Sequence, residues 1–127
     1  MSKVAAVQMV STPVVKENMV TAAKLIAEAA DQGAELVLLP EYWSAIGRQD
    51  IEKLDDAEPY GKGPIQDFMA ETARKHNVWL IGGTLSLVSP EPGKVLNTTL
   101  VYSPEGSNVA RYDKIHLFGF STEREAY

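Results

Sequence analysis

Residues 34–41 read AELVLLPE, and they are the clearest indication of the fold class. Its four consecutive apolar residues, 36–39, are typical of a short strand that is buried on both faces of a parallel sheet. Pro40 cannot donate a ladder hydrogen bond, so it ends the strand. A similar apolar run occupies residues 4–9, and residues 15–30 between the two runs place their apolar side chains at helical spacing. The order strand, helix, strand predicts a right-handed parallel unit.

The remainder of the chain predicts a second helix followed by antiparallel strands. This helix begins near Gly63-Pro64 and ends near Asn77, just as Gly33 is expected to end the first helix. Apolar runs at 78–83 (reaching as far as 88), 95–102 and 108–112 are separated by short turns, which indicates hairpins. We therefore predict an α/β fold with a mixed sheet of about five strands and two helices on one face. The other face has no helix to cover it, and segment 41–62 is predicted to be a functional loop.

The composition excludes several classes of protein. The 127 residues fit one domain at most, and they carry 12 Lys and Arg against 17 Asp and Glu. The resulting formal charge of −5 argues against nucleic-acid binding. No apolar run approaches the ~18 residues that cross a bilayer, and no signal peptide is evident, so we expect a cytoplasmic protein without a membrane partner. The absence of cysteine excludes disulfides, thiolate–zinc sites and a cysteine nucleophile within these residues.

Glu41 directly follows the apolar run, at the carboxyl end of its predicted strand, where open α/β sheets collect ligands and catalytic groups. The apolar Leu39 and the flanking Tyr42 and Trp43 are expected to desolvate the carboxyl group and raise its pKa toward the range of a general base. Position alone favours a solvated glutamate that opens a loop. Tyr42 and Trp43 are candidates for lining a substrate pocket, with burial in the core as the alternative.

Lys114 lies in the segment 112–118, YDKIHLF, after the last predicted strand. A lysine held among aromatic side chains can provide a fixed positive charge for a developing oxyanion. The commoner alternative is a surface lysine that pairs with Asp113. His76 and His116 stand at no recognised ligand spacing, so we expect no metal and no other cofactor. We interpret His116 as a hydrogen-bonded structural histidine and His76 as part of a helix face.

Taken in order, these motifs resemble the nitrilase superfamily, the carbon–nitrogen hydrolases. Residues 4–9, which end in AVQM, resemble its first strand, and residues 34–41 resemble the strand that leads into its catalytic glutamate. Segment 112–118 is similar to the one that carries its catalytic lysine. Residues 82–84 (GGT) and 96–99 (LNTT) also stand where the family places a strand end and an Asn-Thr strand. The resemblance covers nearly the whole chain, with 73 positions separating Glu41 from Lys114.

The resemblance implies an activity and assigns roles. Members of the family hydrolyse non-peptide amides or nitriles with a glutamate, a lysine and a cysteine, so Glu41 would be the general base and Lys114 would stabilise the tetrahedral oxyanion. The family's cysteine lies beyond the lysine motif, past Tyr127. We therefore expect residues 1–127 to be a carbon–nitrogen hydrolase domain that is truncated before its nucleophile and inactive alone. Glu123 and Glu125 are candidates for a further assisting glutamate, although neither matches a motif.

The family fold is a four-layer α-β-β-α sandwich, and the chain resembles its N-terminal half, in agreement with the uncovered sheet face. The expected partners are a small amide or nitrile substrate and either the missing C-terminal half or a second copy of the chain. An amidase is favoured over a nitrilase, because the sequence has no elongated aromatic-rich insertion. Two alternatives stay open: a non-catalytic short relative that dimerises as an interaction module, and an α/β domain whose motif matches are accidental.

Overall fold

The computed structural model describes residues 2–46 and 55–115, which form one six-stranded sheet with two helices. In chain order the elements are β1 (Val4–Ala6), α1 (Val15–Asp31), β2 (Leu36–Leu38), α2 (Pro64–His76), β3 (Trp79–Ile81), β4 (Leu85–Val88), β5 (Val95–Tyr102) and β6 (Asn108–Asp113). Strands alternate with helices in the first part and follow one another in the second, which confirms the predicted α/β class.

The sheet is parallel at one end and antiparallel at the other. β1, β2 and β3 run parallel, whereas β5 runs antiparallel to β3, β4 and β6. Thr98 of β5 pairs with Leu85 of β4 and with Asp113 of β6, so these two strands lie on opposite edges of β5. β3 and β4 share one of these edges, and β6 occupies the other. The mixed sheet predicted from the short connections is confirmed.

The two helices pack against each other and bury one face of the sheet in a single core. Val37 and Leu80, which pair across β2 and β3, are fully buried together with Leu100 of β5. Ile26 of α1 and Met69 of α2 are also fully buried against them. Because each such side chain contributes about 1.5–3 kcal/mol when buried, this core holds the helices on the sheet.

The opposite face of the sheet carries exposed apolar side chains. This open face is defined here by Val4, Leu38, Trp79, Val88 and Tyr112, whose exposed fractions range from 41% to 67%. In β1 to β4 the strand neighbours Ala5, Val37, Leu80 and Leu87 point the other way, into the core, as the two-residue period of a strand requires. The predicted uncovered face is therefore present, and exposed apolar side chains of this number are typical of contact surfaces.

The helix ends agree with the sequence, and the third strand ends before Gly82-Gly83 as predicted, without the extension to residue 88. Gly33 adopts φ +94° just after α1, and Asn77 adopts the left-handed φ +54° just after α2, as predicted for terminators. Residues 78–88, however, are divided into β3 and β4. Gly83 turns the chain there with φ +51°, at a place where a Cβ would overlap the Pro40 carbonyl oxygen.

Candidate active site

Glu41 lies at the carboxyl end of β2, where the chain leaves the sheet. The Leu39 N–H still donates to the Ile81 carbonyl oxygen at 2.9 Å, so pairing with β3 continues until Pro40 ends it. Tyr42 then turns the backbone with a left-handed φ of +55°, and its N–H donates to Thr84 Oγ1 at 2.9 Å. These contacts hold the backbone on both sides of Glu41 and direct its side chain toward the end of β6.

Lys114 follows β6 directly and reaches Glu41. Its backbone N–H donates to the Asn97 carbonyl oxygen at 2.8 Å, which extends the pairing of β5 with β6 by one residue. Its Nζ donates to Glu41 Oε2 at 3.0 Å, so the fold brings together two residues that are 73 positions apart. The pair is partly open to solvent, since 34% of the Lys114 side chain and 48% of the Glu41 side chain are exposed.

Asn97 of β5 completes the cluster, and it was not among the site residues predicted from sequence. Its Nδ2 donates to Glu41 Oε2 at 2.9 Å, and the residue is only 3% exposed. The signal that could have identified it is an amide side chain in a strand that is predicted to be central and buried, because a buried amide needs a partner. That partner could not be named from sequence, since it depends on how β5 and β6 stand relative to the end of β2.

The pKa of Glu41 moves in the direction opposite to the expectation from sequence. The hydrogen bond from the Lys114 ammonium holds the pKa of this carboxyl below its ordinary value of 4.5, and burial opposes that effect. The hydrogen bond from Asn97 and the positive charge of Lys114 lower it further. The prediction of a raised pKa is therefore wrong for this chain, because the carboxylate stays half exposed and meets a cation that sequence reasoning treated separately.

The two aromatic residues after Glu41 have different surroundings. Trp43 is fully buried in the core, with its ring 5.7 Å from that of Phe68 in α2. The structure therefore favours the core alternative for Trp43 and not the pocket lining that was predicted. Tyr42 is half-buried beside Glu41, so its place in a substrate pocket stays a prediction.

With this geometry in place, comparison with known proteins identifies the family. The model of the carbon–nitrogen hydrolase family matches residues 3–127. The chain belongs to the carbon–nitrogen hydrolase family. The resemblance read from the two motifs around Glu41 and Lys114 is thereby confirmed at the level of the family.

Curated relatives of this family member are amidases. The deaminated glutathione amidase of Synechocystis sp. (strain PCC 6803 / GT-S) is 39% identical over 115 residues, which are 90% of this chain and 42% of that protein. The omega-amidase NIT2 of Xenopus tropicalis is 36% identical over 113 residues, 88% of this chain and 39% of that protein. The chain thus spans about two fifths of the length of these relatives.

Solved structures of the nitrilase superfamily share the fold. The Caenorhabditis elegans NitFhit protein superposes with a TM-score of 0.81 at 31% identity, covering 99% of this chain and 32% of that one. Saccharomyces cerevisiae Nit3, a member of branch 10 of the superfamily, gives a TM-score of 0.79 at 26% identity, covering 91% of this chain and 44% of that one. The mixed sheet with two helices is therefore part of a nitrilase fold.

Several candidates from the sequence lie outside the described residues or away from the cluster. His116, Glu123 and Glu125 fall in the segment that the structure does not describe. His76 is half-buried at the end of α2. Within residues 2–46 and 55–115, no group of three or more His, Cys, Asp or Glu side chains stands close enough to hold a metal ion. No helix in the same ranges has the length and apolarity to span a membrane.

Proposed function

We propose that this chain supplies the general base and the oxyanion-stabilising lysine of an amidase-type carbon–nitrogen hydrolase. The observation that carries the proposal is the 3.0 Å contact between Lys114 Nζ and Glu41 Oε2. An exposed ion pair contributes only about 0–1 kcal/mol to stability, so stability alone is a weak reason to assemble one here. The pair stands instead at the ends of the strands, beside the open face, where α/β sheets place their reacting groups.

In the proposed reaction, Glu41 takes the proton of a cysteine thiol, and the thiolate attacks the carbonyl carbon of a small non-peptide amide. The Lys114 ammonium stabilises the negative oxygen of the tetrahedral intermediate. Glu41 then returns the proton to the departing nitrogen, which leaves an acyl thioester. Water hydrolyses this thioester to a carboxylic acid and regenerates the thiol.

The nucleophile is proposed to come from the remainder of the domain, because the 127 residues contain no cysteine. The chain covers 42% of the Synechocystis amidase and 39% of the Xenopus omega-amidase, which leaves most of each relative unmatched. We accordingly propose that the isolated chain is inactive and that the missing C-terminal part of the domain is its partner. The names of these relatives support an amide substrate over a nitrile.

A chimera tests the roles of Glu41 and Lys114. The 115 residues of this chain that match the Synechocystis amidase replace their counterparts in that enzyme, and hydrolysis of its own substrate is measured. We expect turnover, a loss of about 10²–10⁴-fold for Glu41→Gln and a loss of about 10²–10³-fold for Lys114→Met. Glu35→Gln and Lys94→Met are matched controls, because both side chains are exposed and neither contacts the cluster.

Two results would contradict the proposal. One is a chimera that melts cooperatively like the parent amidase and shows no turnover. The other is a Glu41→Gln chimera that keeps the full activity of the unmodified chimera. The isolated chain, with its mass confirmed, is assayed beside them, and hydrolysis by it would contradict the proposed inactivity.

The open face favours a second candidate, a non-catalytic module that pairs with another copy of itself. Trp79 on that face is 42% exposed, whereas Trp43 is fully buried, and the chain has no third tryptophan. In a Trp43→Phe variant all tryptophan fluorescence therefore comes from Trp79, which reports on the open face. A dimer by light scattering, with Trp79 protected from iodide quenching, would support this candidate. A monomer with freely quenched Trp79 would refute it.

A further inference from the structure

Asn97 contacts both members of the candidate pair through different atoms. Its backbone carbonyl oxygen accepts the Lys114 N–H at 2.8 Å, and its side-chain Nδ2 donates to Glu41 Oε2 at 2.9 Å. The residue is 3% exposed, although the side chain of the carboxylate that it holds is 48% exposed. One buried residue of β5 thus links the segment after β2 to the segment after β6.

The orientation of the Asn97 amide is dictated by Glu41. With Nδ2 on the carboxylate, Oδ1 is buried and has no hydrogen-bond partner among residues 2–46 and 55–115, which costs about 1–3 kcal/mol. Turning the amide over would place Oδ1 against Glu41 Oε2, two acceptors facing each other. The unpartnered oxygen is therefore tolerated because the carboxylate requires a donor, and a charge-assisted hydrogen bond is about twice as strong as a neutral one.

Both donors bind the same carboxylate oxygen. Lys114 Nζ and Asn97 Nδ2 each contact Oε2, at 3.0 and 2.9 Å. Within the described part of the chain, Oε1 receives no hydrogen bond. We propose that Asn97 is a positioning residue that holds the Glu41 carboxylate on Lys114 through Oε2 and leaves Oε1 as the oxygen that accepts the proton. This assignment rests on the proposed function of Glu41 as the base.

Within the described ranges of the chain, few charged groups lie around the carboxylate. Lys114 faces Glu41 from the end of β6, and the neutral Asn97 faces it from β5. Asp113 precedes Lys114 but lies on the other face of the sheet, where Thr98 and Arg111 bind it. The hydrogen bond from Asn97 is one of the causes that lower the pKa of Glu41. Removal of the Asn97 side chain should therefore change the pKa of Glu41.

The test is a titration of the chain by NMR, with the Glu41 side-chain carboxyl carbon labelled and assigned by comparison with Glu41→Gln. We expect Asn97→Leu to shift the pKa of Glu41 upward, because the donor is lost while the ion pair with Lys114 remains. The Lys114 amide should stay protected from hydrogen exchange, since its acceptor is the backbone of residue 97. Ser86→Ala is the matched control. Ser86 pairs with Asn97 across β4 and β5, and its substitution should leave the pKa unchanged.

An unchanged pKa of Glu41 in Asn97→Leu, with the Lys114 amide still protected, would overturn the proposal. An equal shift in Ser86→Ala would also overturn it, because the effect would then be unspecific. If the Lys114 amide is no longer protected from hydrogen exchange in Asn97→Leu, the isosteric Asn97→Asp variant tests the contact instead. Its second carboxylate should raise the pKa of Glu41 by like-charge repulsion, and no rise would refute the contact. None of these measurements needs turnover, so failure of the amidase proposal in the chimera is a separate result.

Discussion

Glu58 is a buried carboxylate that caps α2 from outside the helix. It is 5% exposed, and its two oxygens accept the Ile65 N–H at 2.6 Å and the Gln66 N–H at 3.2 Å. Gln66 Nε2 donates to it as well, at 3.1 Å. A negative charge at this position also meets the positive end of the helix dipole. Glu58→Ala should therefore destabilise the fold.

The loss of unfolding free energy depends on which hydrogen-bond acceptors remain for each donor. Gln66 Nε2 keeps two other acceptors, the carbonyl oxygens of Pro59 and Lys62, so it is not orphaned. The two backbone N–H groups lose their acceptor, and each orphaned buried donor costs about 1–3 kcal/mol. A cavity of about 480 Å³ lined by Glu58 and Ile65 allows water to reach these groups, which favours the lower part of that range. We expect a loss of about 2–4 kcal/mol.

The assay is urea unfolding at neutral pH, followed by circular dichroism. Glu58→Gln should lose less than Glu58→Ala, because one carbonyl oxygen remains to accept a bond while the new NH₂ group faces a backbone donor. Glu71→Gln is the control, since it removes the same charge from an exposed position on α2. A Glu58→Ala variant within about 0.5 kcal/mol of the wild type would refute the reasoning, because that is the range of an ordinary surface substitution.

Two further predictions concern the end of β2 and the response to acid. Gly83→Ala should lower the urea midpoint much more than Gly93→Ala. Both glycines have positive φ, but only at Gly83 would a Cβ overlap the Pro40 carbonyl oxygen. Equal shifts of the midpoint would contradict this reasoning. In the folded protein the pKa of Glu41 is held below 4.5 and the pKa of Asp113 below 3.8. The stability that these carboxylates add is therefore fully present above 4.5 and 3.8, and it is lost as the pH falls through their lower pKa values in the folded state. The urea midpoint should fall as the pH drops below about 5. It should fall less steeply in the Glu41→Gln/Asp113→Asn variant, and an equal slope would contradict the assignment.

Local pattern predicted the elements because their causes are local. The apolar run at residues 36–39, the proline that ends it and the terminators Gly33 and Asn77 act within a few residues of themselves. The strand end at Gly82-Gly83 was predicted, whereas the close approach of the Gly83 backbone to Pro40, which separates β3 from β4, is a contact between distant segments that local pattern does not show.

The candidate site was predictable only in part, for a related reason. Glu41 and Lys114 were found through their motifs, but their contact, the lowered pKa and the role of Asn97 depend on the register of β5 and β6. Trp43 shows the opposite difficulty. Glu41, two positions earlier in the sequence, is at the site, whereas the Trp43 side chain packs in the core against Phe68. Sequence position alone does not distinguish these two surroundings.

The lowered pKa of Glu41 has a consequence for its proposed work as a base. A carboxylate whose pKa is lowered by a nearby cation is a poor acceptor for a thiol proton, and the hydrogen bond from Lys114 is the largest cause of the lowering at Glu41. In the proposed reaction, Lys114 turns toward the developing oxyanion as Glu41 takes the thiol proton, so its lowering effect on the pKa of Glu41 weakens, and any layer that covers the open face adds desolvation, which raises that pKa. Proton uptake and oxyanion stabilisation are then coupled through one ammonium group.

The first step of this coupling can be measured in the isolated chain. Lys114→Met should raise the pKa of Glu41 in the NMR titration, and by more than Asn97→Leu does, because the hydrogen bond from Lys114 outweighs that from Asn97. Lys94→Met removes an equal charge that is paired with Glu91 and should leave the pKa of Glu41 where it is. A smaller rise for Lys114→Met than for Asn97→Leu would reverse the order of the two contacts. Asn97 would then be the main determinant of the base strength, and movement of Lys114 could not be what releases it.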